Sequence, residues 1–269
     1  MLADVCKGNA ESLHQALRFC AEHEIGCFRV NSQIMPLRTH PEHGYRADEL
    51  PGADEIVAAY RRCGEFAQAN RIRLSFHPDQ FVVLNSPRAD VVNASLAEIE
   101  YQAEVAEWIG ADVINIHAGG VYGDKNSALT KFARSLDRLS NRARIRLTVE
   151  NDDRSFTPSD LLPLCRAESI PFVYDIHHHR CTFDPLPEGE ATRLALDTWD
   201  REPLFHISSP RGGWCGTWIR HHDDFIDLDD FPNSWRSLDV TVEVEAKAKE
   251  LAVLDLKQKL EGMRACVLS

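Results

Sequence analysis

Short apolar runs that end in an acidic or metal-binding side chain recur along this 269-residue chain, at His77, His117, Glu150, Asp175, His206 and Glu245. Runs such as Leu74-Ser75-Phe76-His77 and Leu147-Thr148-Val149-Glu150 have the length and the β-branched or aromatic content of buried strands. Their spacing is close to the roughly 30 residues of one βα unit, which constrains the chain to a parallel α/β architecture. Enzymes built on the (β/α) barrel gather their working residues at the C-terminal ends of the strands, where these six fall. A dinucleotide-binding sheet would instead want a glycine-rich phosphate turn after its first strand, and the sequence has none. The expected fold class is α/β, a TIM-type (β/α) barrel.

Seven strands are read, over 27–32, 73–77, 112–117, 146–150, 172–175, 204–208 and 239–245. Helices are expected over 9–23, with Asn9 as the cap, over 54–69, 91–109, 127–139 and 159–165, and from Ala246 onward. The stretches 36–51 and 210–218 read as loops, followed by the polar segment 221–225. Nothing strand-like precedes the first helix, so the barrel is expected to be one strand short. The whole chain, 1–269, reads as a single domain.

Composition narrows the class. With 43% hydrophobic and 27% charged residues the chain is of ordinary globular type, and no apolar run approaches the roughly 20 residues of a membrane span. The eight cysteines are scattered without a CxxC pair, which argues against a zinc finger and for reduced thiols in the cytoplasm. A net charge of −12 argues, taken alone, against a nucleic-acid partner. Bound cations would neutralise part of that charge, however, and a basic face can sit on an acidic body. Lys125, Arg154, Arg180, Arg211 and Arg220 fall in loops after strands, where they could meet a phosphate backbone; singly, each reads as a solvated surface charge.

The stretch Phe172-Val173-Tyr174-Asp175-Ile176-His177-His178-His179 is the densest signal. Side chains alternate along a strand, so Asp175 and His177 share a face and His178 points away unless the chain turns. A strand ending near Asp175 lets Asp175 and His178 converge on one site. Crowding Glu150, Asp175 and Glu245 away from water would be costly without cations, because like charges a few ångströms apart repel. Three carboxylates with several imidazoles suit two or three divalent ions, and the mixed oxygen and nitrogen set suits Mn²⁺, Zn²⁺ or Fe²⁺ over Mg²⁺ alone. Such ions can bind nonbridging phosphate oxygens, activate water and stabilise a leaving oxygen, which is phosphodiesterase chemistry.

The motifs His77-Pro78-Asp79-Gln80-Phe81, His117-Ala118-Gly119-Gly120, Glu150-Asn151-Asp152-Asp153, Asp175-Ile176-His177-His178, His206-Ile207-Ser208-Ser209, His222-Asp223-Asp224-Phe225 and Glu245-Ala246-Lys247 occur in this order. In that set and order the chain resembles the UV damage endonucleases, from about residue 25 to the C-terminal helix. The resemblance implies a manganese-dependent DNA repair enzyme that nicks double-stranded DNA on the 5′ side of a UV photoproduct. It implies metal ligands at His77, His117, Glu150, Asp175, His178, His206, His222 and Glu245, with Glu150, Asp175 and His206 as the catalytic set. It also implies that Gln80 and Phe81 probe the lesion. Neither a membrane nor an obligate protein partner is expected.

Three departures from the family pattern stand out. The family's first barrel strand has no counterpart before the first helix, Phe81 stands where the family has tyrosine, and Leu204 stands where many members have lysine. Two alternatives belong beside the endonuclease. One is a sugar isomerase or epimerase on the same metal barrel. The other is a protein that binds damaged DNA without cutting it.

Overall fold

A helix, not a strand, opens the structure. The computed structural model describes residues 1–267, in two compact units, Met1–Val149 and a second that begins at Glu150. Helix α1 (Leu2–Glu22) starts seven residues before the expected Asn9 cap, because Ala3 and Cys6 continue the buried stripe of Ala10, Leu13, Leu17 and Cys20. Asn9 caps nothing; its amide donates to the Ile34 carbonyl at 2.7 Å.

The first unit continues through β1 (Cys27–Val30), α2 (Ala53–Ala69), β2 (Arg73–Phe76), α3 (Ala89–Ile109), β3 (Val113–His117), α4 (Lys125–Leu136), the short α5 (Asn141–Arg144) and β4 (Leu147–Glu150), whose last residue belongs to the second unit. Strands β1, β2, β3 and β4 are neighbours in that order. β1 runs parallel to β2 with Val30 opposite Phe76, and β2 parallel to β3 with Phe76 opposite Ile114. The Arg73 guanidinium grips Asp112 with two bonds of 2.8 and 3.0 Å and ties the starts of β2 and β3 together. Behind the strands, the Tyr60 hydroxyl sits 3.1 Å from the carbonyls of both Cys6 and Ile34. Gly64 lets α2 touch α3, since a Cβ there would lie 2.5 Å from the Ile109 carbonyl oxygen.

The second unit contains α6 (Pro158–Glu168), β5 (Phe172–Asp175), α7 (Ile176–Cys181), α8 (Glu188–Leu196), β6 (Leu204–Ile207), β7 (Pro210–Arg211), β8 (Trp218–His222), β9 (Thr241–Val244) and α9 (Glu250–Val267). β5 runs parallel to β6 with Asp175 opposite His206, and β6 parallel to β9 with His206 opposite Glu243. Helix α8 was not expected: it buries only Ala191, Thr192 and Ala195, small residues that leave a faint apolar period. The supposed loop over 210–218 and the segment after it form an antiparallel ribbon, β7 with β8. Its anchor is Asp230, which accepts from Ser209 Oγ and Trp214 Nε1 at 2.6 Å each.

Parallel strands alternating with helices make this a TIM-type (β/α) barrel fold. Among the described residues seven strands belong to the main sheet and none precedes α1.

Candidate metal centre

Aromatic and β-branched residues bury β5 completely, and the strand stops at Asp175 because the carboxylate caps a helix. Asp175 Oδ1 accepts the backbone N–H of His178 at 2.7 Å, so the chain turns into α7 within one residue. The turn brings the His178 ring back over the strand end, with Nδ1 3.5 Å from Asp175 Oδ2 and 3.2 Å from Glu150 Oε1. Glu150, Asp175 and His178 each place a donor atom within 4.8 Å of the other two, as the convergence argument requires.

Asn151 fixes this geometry, and sequence reasoning gave it no role. Fully buried, it accepts the Asp175 N–H at 3.0 Å and donates to the Asp175 carbonyl at 2.8 Å, which locks the end of β5 to the residue after Glu150. Its own carbonyl oxygen lies 3.0 Å from His178 Nδ1.

On the neighbouring strands, His206 Nδ1 lies 3.3 Å from Glu150 Oε1 and 3.4 Å from Glu245 Oε1, while Nε2 lies 3.4 Å from Glu243 Oε2. His222, carried by β8, has Nδ1 3.8 Å from Glu245 Oε2. The second unit therefore brings Glu150, Asp175, His178, His206, His222 and Glu245 into one cluster, and it adds Glu243, which the sequence reading passed over. The signal was present: in Thr241-Val242-Glu243-Val244-Glu245 the period of two puts Glu243 on the same face as Glu245. His177 is a further addition. It is buried against Trp214 and His222, with ring centroids 5.3 Å away in both cases, and neither ring nitrogen has a hydrogen-bond partner.

Electrostatics sorts these imidazoles. Burial alone would push the His206 pKa down, but the carboxylates of Glu150 and Glu245 outweigh it and hold it at about 10. His178 is raised in the same way: burial opposes its charge, and Asp175 and Glu150 overcome the penalty. At His177 burial wins and the pKa falls to about 4. Two histidines thus stand in for cations among acids.

Divalent ions fit this donor set. Glu150 and Asp175 have no exposure to solvent, and Asp175 Oδ2 is buried without a hydrogen bond. Buried carboxylates at such spacing call for positive charge, and imidazole nitrogens beside them complete a transition-metal environment.

In the first unit, His77 and His117 stand at the ends of β2 and β3 with ring centroids 5.3 Å apart. Gly119, at φ +88°, leaves room for the buried Asn85, whose amide donates to the Gly120 carbonyl at 2.8 Å. After His77 the chain makes a tight turn in which Asp79 accepts the Phe81 N–H at 3.0 Å. Gln80 is exposed and Phe81 is 76% exposed, so the phenyl ring is offered to solvent and not packed beneath the loop. Among the basic loop residues, Arg180 is committed internally, with two bonds to Glu188 at 2.9 and 3.0 Å and one to the Asp230 carbonyl at 2.9 Å. It is no free phosphate contact.

Comparison with known proteins agrees with this geometry. The family model described as "UV-endonuclease UvdE" matches residues 1–267. The UV DNA damage endonuclease of Bacillus thuringiensis subsp. konkukian (strain 97-27) is 32% identical, over 98% of this chain and 84% of its own length. The same figures hold for that of Bacillus anthracis (strain A0248). Among solved structures, SacUVDE superposes with a TM-score of 0.89 at 29% identity, over 98% of this chain and 89% of its own. Endonuclease IV from Thermus thermophilus (TM-score 0.68, 16% identity, 93% and 94% covered) shares the fold. So does D-psicose 3-epimerase from Clostridium cellulolyticum (TM-score 0.63, 13% identity, 95% and 93% covered), and at those identities the likeness speaks for fold alone.

Proposed function

We propose, from the premise that this chain belongs to the UV-endonuclease UvdE family, that it is a metal-dependent DNA repair endonuclease. Its substrate is double-stranded DNA bearing UV photoproducts, and it nicks the backbone on the 5′ side of the lesion. The observation that carries the metal dependence is the burial of Glu150 and Asp175 beside His178 and His206. The ligands proposed for two or three divalent ions, most suitably Mn²⁺, are His77, His117, Glu150, Asp175, His178, His206, His222 and Glu245. Family membership supports that full set, and the spacing within each unit supports its parts.

Bound there, the ions would supply Lewis acidity toward the scissile phosphate and balance the acidic residues. Every other part of the work falls to the protein. Glu150, with no freedom to move into solvent, holds the charge at the centre. Asp175 and His206 complete the catalytic set, the first fixed by its cap of α7 and by Asn151, the second by the carboxylates around its ring. The exposed Gln80 and Phe81 contact the lesion: an amide can pair with base edges that have lost their partners, and a phenyl ring can fill a vacated stack. The enzyme acts as one domain, 1–269, in the cytoplasm, where the seven described cysteines, none of them in a disulfide, stay reduced.

The test combines elemental analysis with an end-labelled duplex carrying one photoproduct. Two or more bound Mn²⁺ and a single cut 5′ to the lesion, both lost on chelation, are expected. Cutting that persists in chelator overturns the metal dependence, and cutting on the 3′ side overturns the polarity.

A further inference from the structure

Glu243 stands beside the proposed centre with no assigned task. It is a carboxylate only 7% exposed, flanked along its strand by Val242 and Val244, and burying such a group is costly without a charged or hydrogen-bonded partner. β6 and β9 pair in register with His206 directly opposite Glu243, so the backbone itself sets the two side chains together. Glu243 Oε2 lies 3.4 Å from His206 Nε2, while the other ring nitrogen, Nδ1, faces Glu150 and Glu245.

A neutral imidazole has one N–H and one lone pair, and which nitrogen holds the proton decides which can bind a cation. We propose that Glu243 is a positioning residue: its carboxylate accepts the Nε2–H of His206 and thereby turns the Nδ1 lone pair toward Glu150 and Glu245. The arrangement is a carboxylate behind a ligating histidine, which fixes tautomer and ring orientation and raises the basicity of the ligand nitrogen. It also accounts for an acid retained at an interior strand position. Glu245, two residues on and on the same face, is the ligand; Glu243 acts through His206. This inference rests on the metal-dependent reading above.

The experiment uses the full chain with two probes. Mn²⁺ titration followed by electron paramagnetic resonance gives affinity, and ¹⁵N spectra of labelled imidazoles in the Zn²⁺-loaded protein give the tautomer. The parent is expected to show His206 with the proton on Nε2 and Nδ1 ligated. Glu243→Ala should weaken one Mn²⁺ about 10- to 100-fold, with the circular dichroism of the folded protein unchanged. Glu243→Gln, which keeps an acceptor but loses the charge, should fall between them, and it decides the matter if the alanine variant does not fold. Parent-like Mn²⁺ affinity in Glu243→Gln together with an unchanged tautomer would overturn the proposal while leaving the metal site intact. A parent protein that takes up no Mn²⁺ would overturn the function reading and this one with it.

Discussion

The two compact units offer a nucleic acid different things. In the second, Glu150, Asp175, Glu243 and His206 are buried, and the part-exposed His178 and Glu245 close on them. The first contributes two histidine rings at strand ends and, right after one of them, a turn that holds Gln80 and Phe81 in solvent. Buried charge of one sign calls for small cations, whereas an exposed amide and ring call for a partner with faces and edges. On the proposed assignment chemistry and recognition are separable by mutation, and the predictions below try to break that separation.

The largest expected effect is at the centre of the acidic cluster. Glu150→Gln should lower nicking about a thousandfold or more, because a neutral amide cannot balance the charge of the ions that polarise the phosphate. Its melting temperature should stay close to the parent's. Turnover within tenfold of the parent would show that Glu150 is not at the centre.

The same cluster should report itself through pH when metal is absent. Folded His206 keeps its proton to about pH 10, against 6.5 for its ordinary value. Between those values the folded state binds more protons, so the contribution is complete below 6.5 and is lost as pH rises toward 10. The melting temperature of chelated protein should fall from pH 7 to 10, and Mn²⁺ should flatten the slope. A melting temperature that climbs over that window contradicts the assignment.

Next comes the scaffold beneath the acids. Asn151→Ala strands the N–H and carbonyl of Asp175, two buried groups at about 1–3 kcal/mol each, so a loss of about 2–6 kcal/mol in denaturant unfolding is expected. A loss below about 0.5 kcal/mol would mean that the strand end is held by something other than Asn151.

Smaller still is the effect at the recognition turn. Alanine at both Gln80 and Phe81 should cost about 1–3 kcal/mol in affinity for irradiated duplex, the scale of one stacking contact, without changing metal content. Phe81→Tyr should change little, since the ring is exposed and has space for a hydroxyl. Undiminished preference for irradiated DNA in the double variant would move recognition to another surface.

How legible all this was in the sequence varied with the physics of each part. Strand ends were plain, because β-branched and aromatic runs stop at a single polar residue, as at Val149-Glu150 and Tyr174-Asp175. The turn after Asp175 could be argued from alternation alone and matches its cap of α7. The start of α1 is displaced from the sequence expectation because Asn9 has the side chain of a cap, while Ala3 and Cys6 already extend the buried stripe before it. Asn151 and Glu243 were missed for a different reason: each acts through a neighbour, Asp175 or His206, and such pairing emerges only when strands are set in register. The exposure of Phe81 depends on a tight turn whose tip no periodicity marks.

The most direct test of the central claim is a nicking assay on one supercoiled plasmid, irradiated or not, with Mn²⁺ or with chelator. Relaxation of the irradiated plasmid in Mn²⁺ alone, with the other three lanes supercoiled, is the predicted result. Equal relaxation of irradiated and unirradiated plasmid, relaxation in chelator, or binding of irradiated DNA without any cut would contradict it.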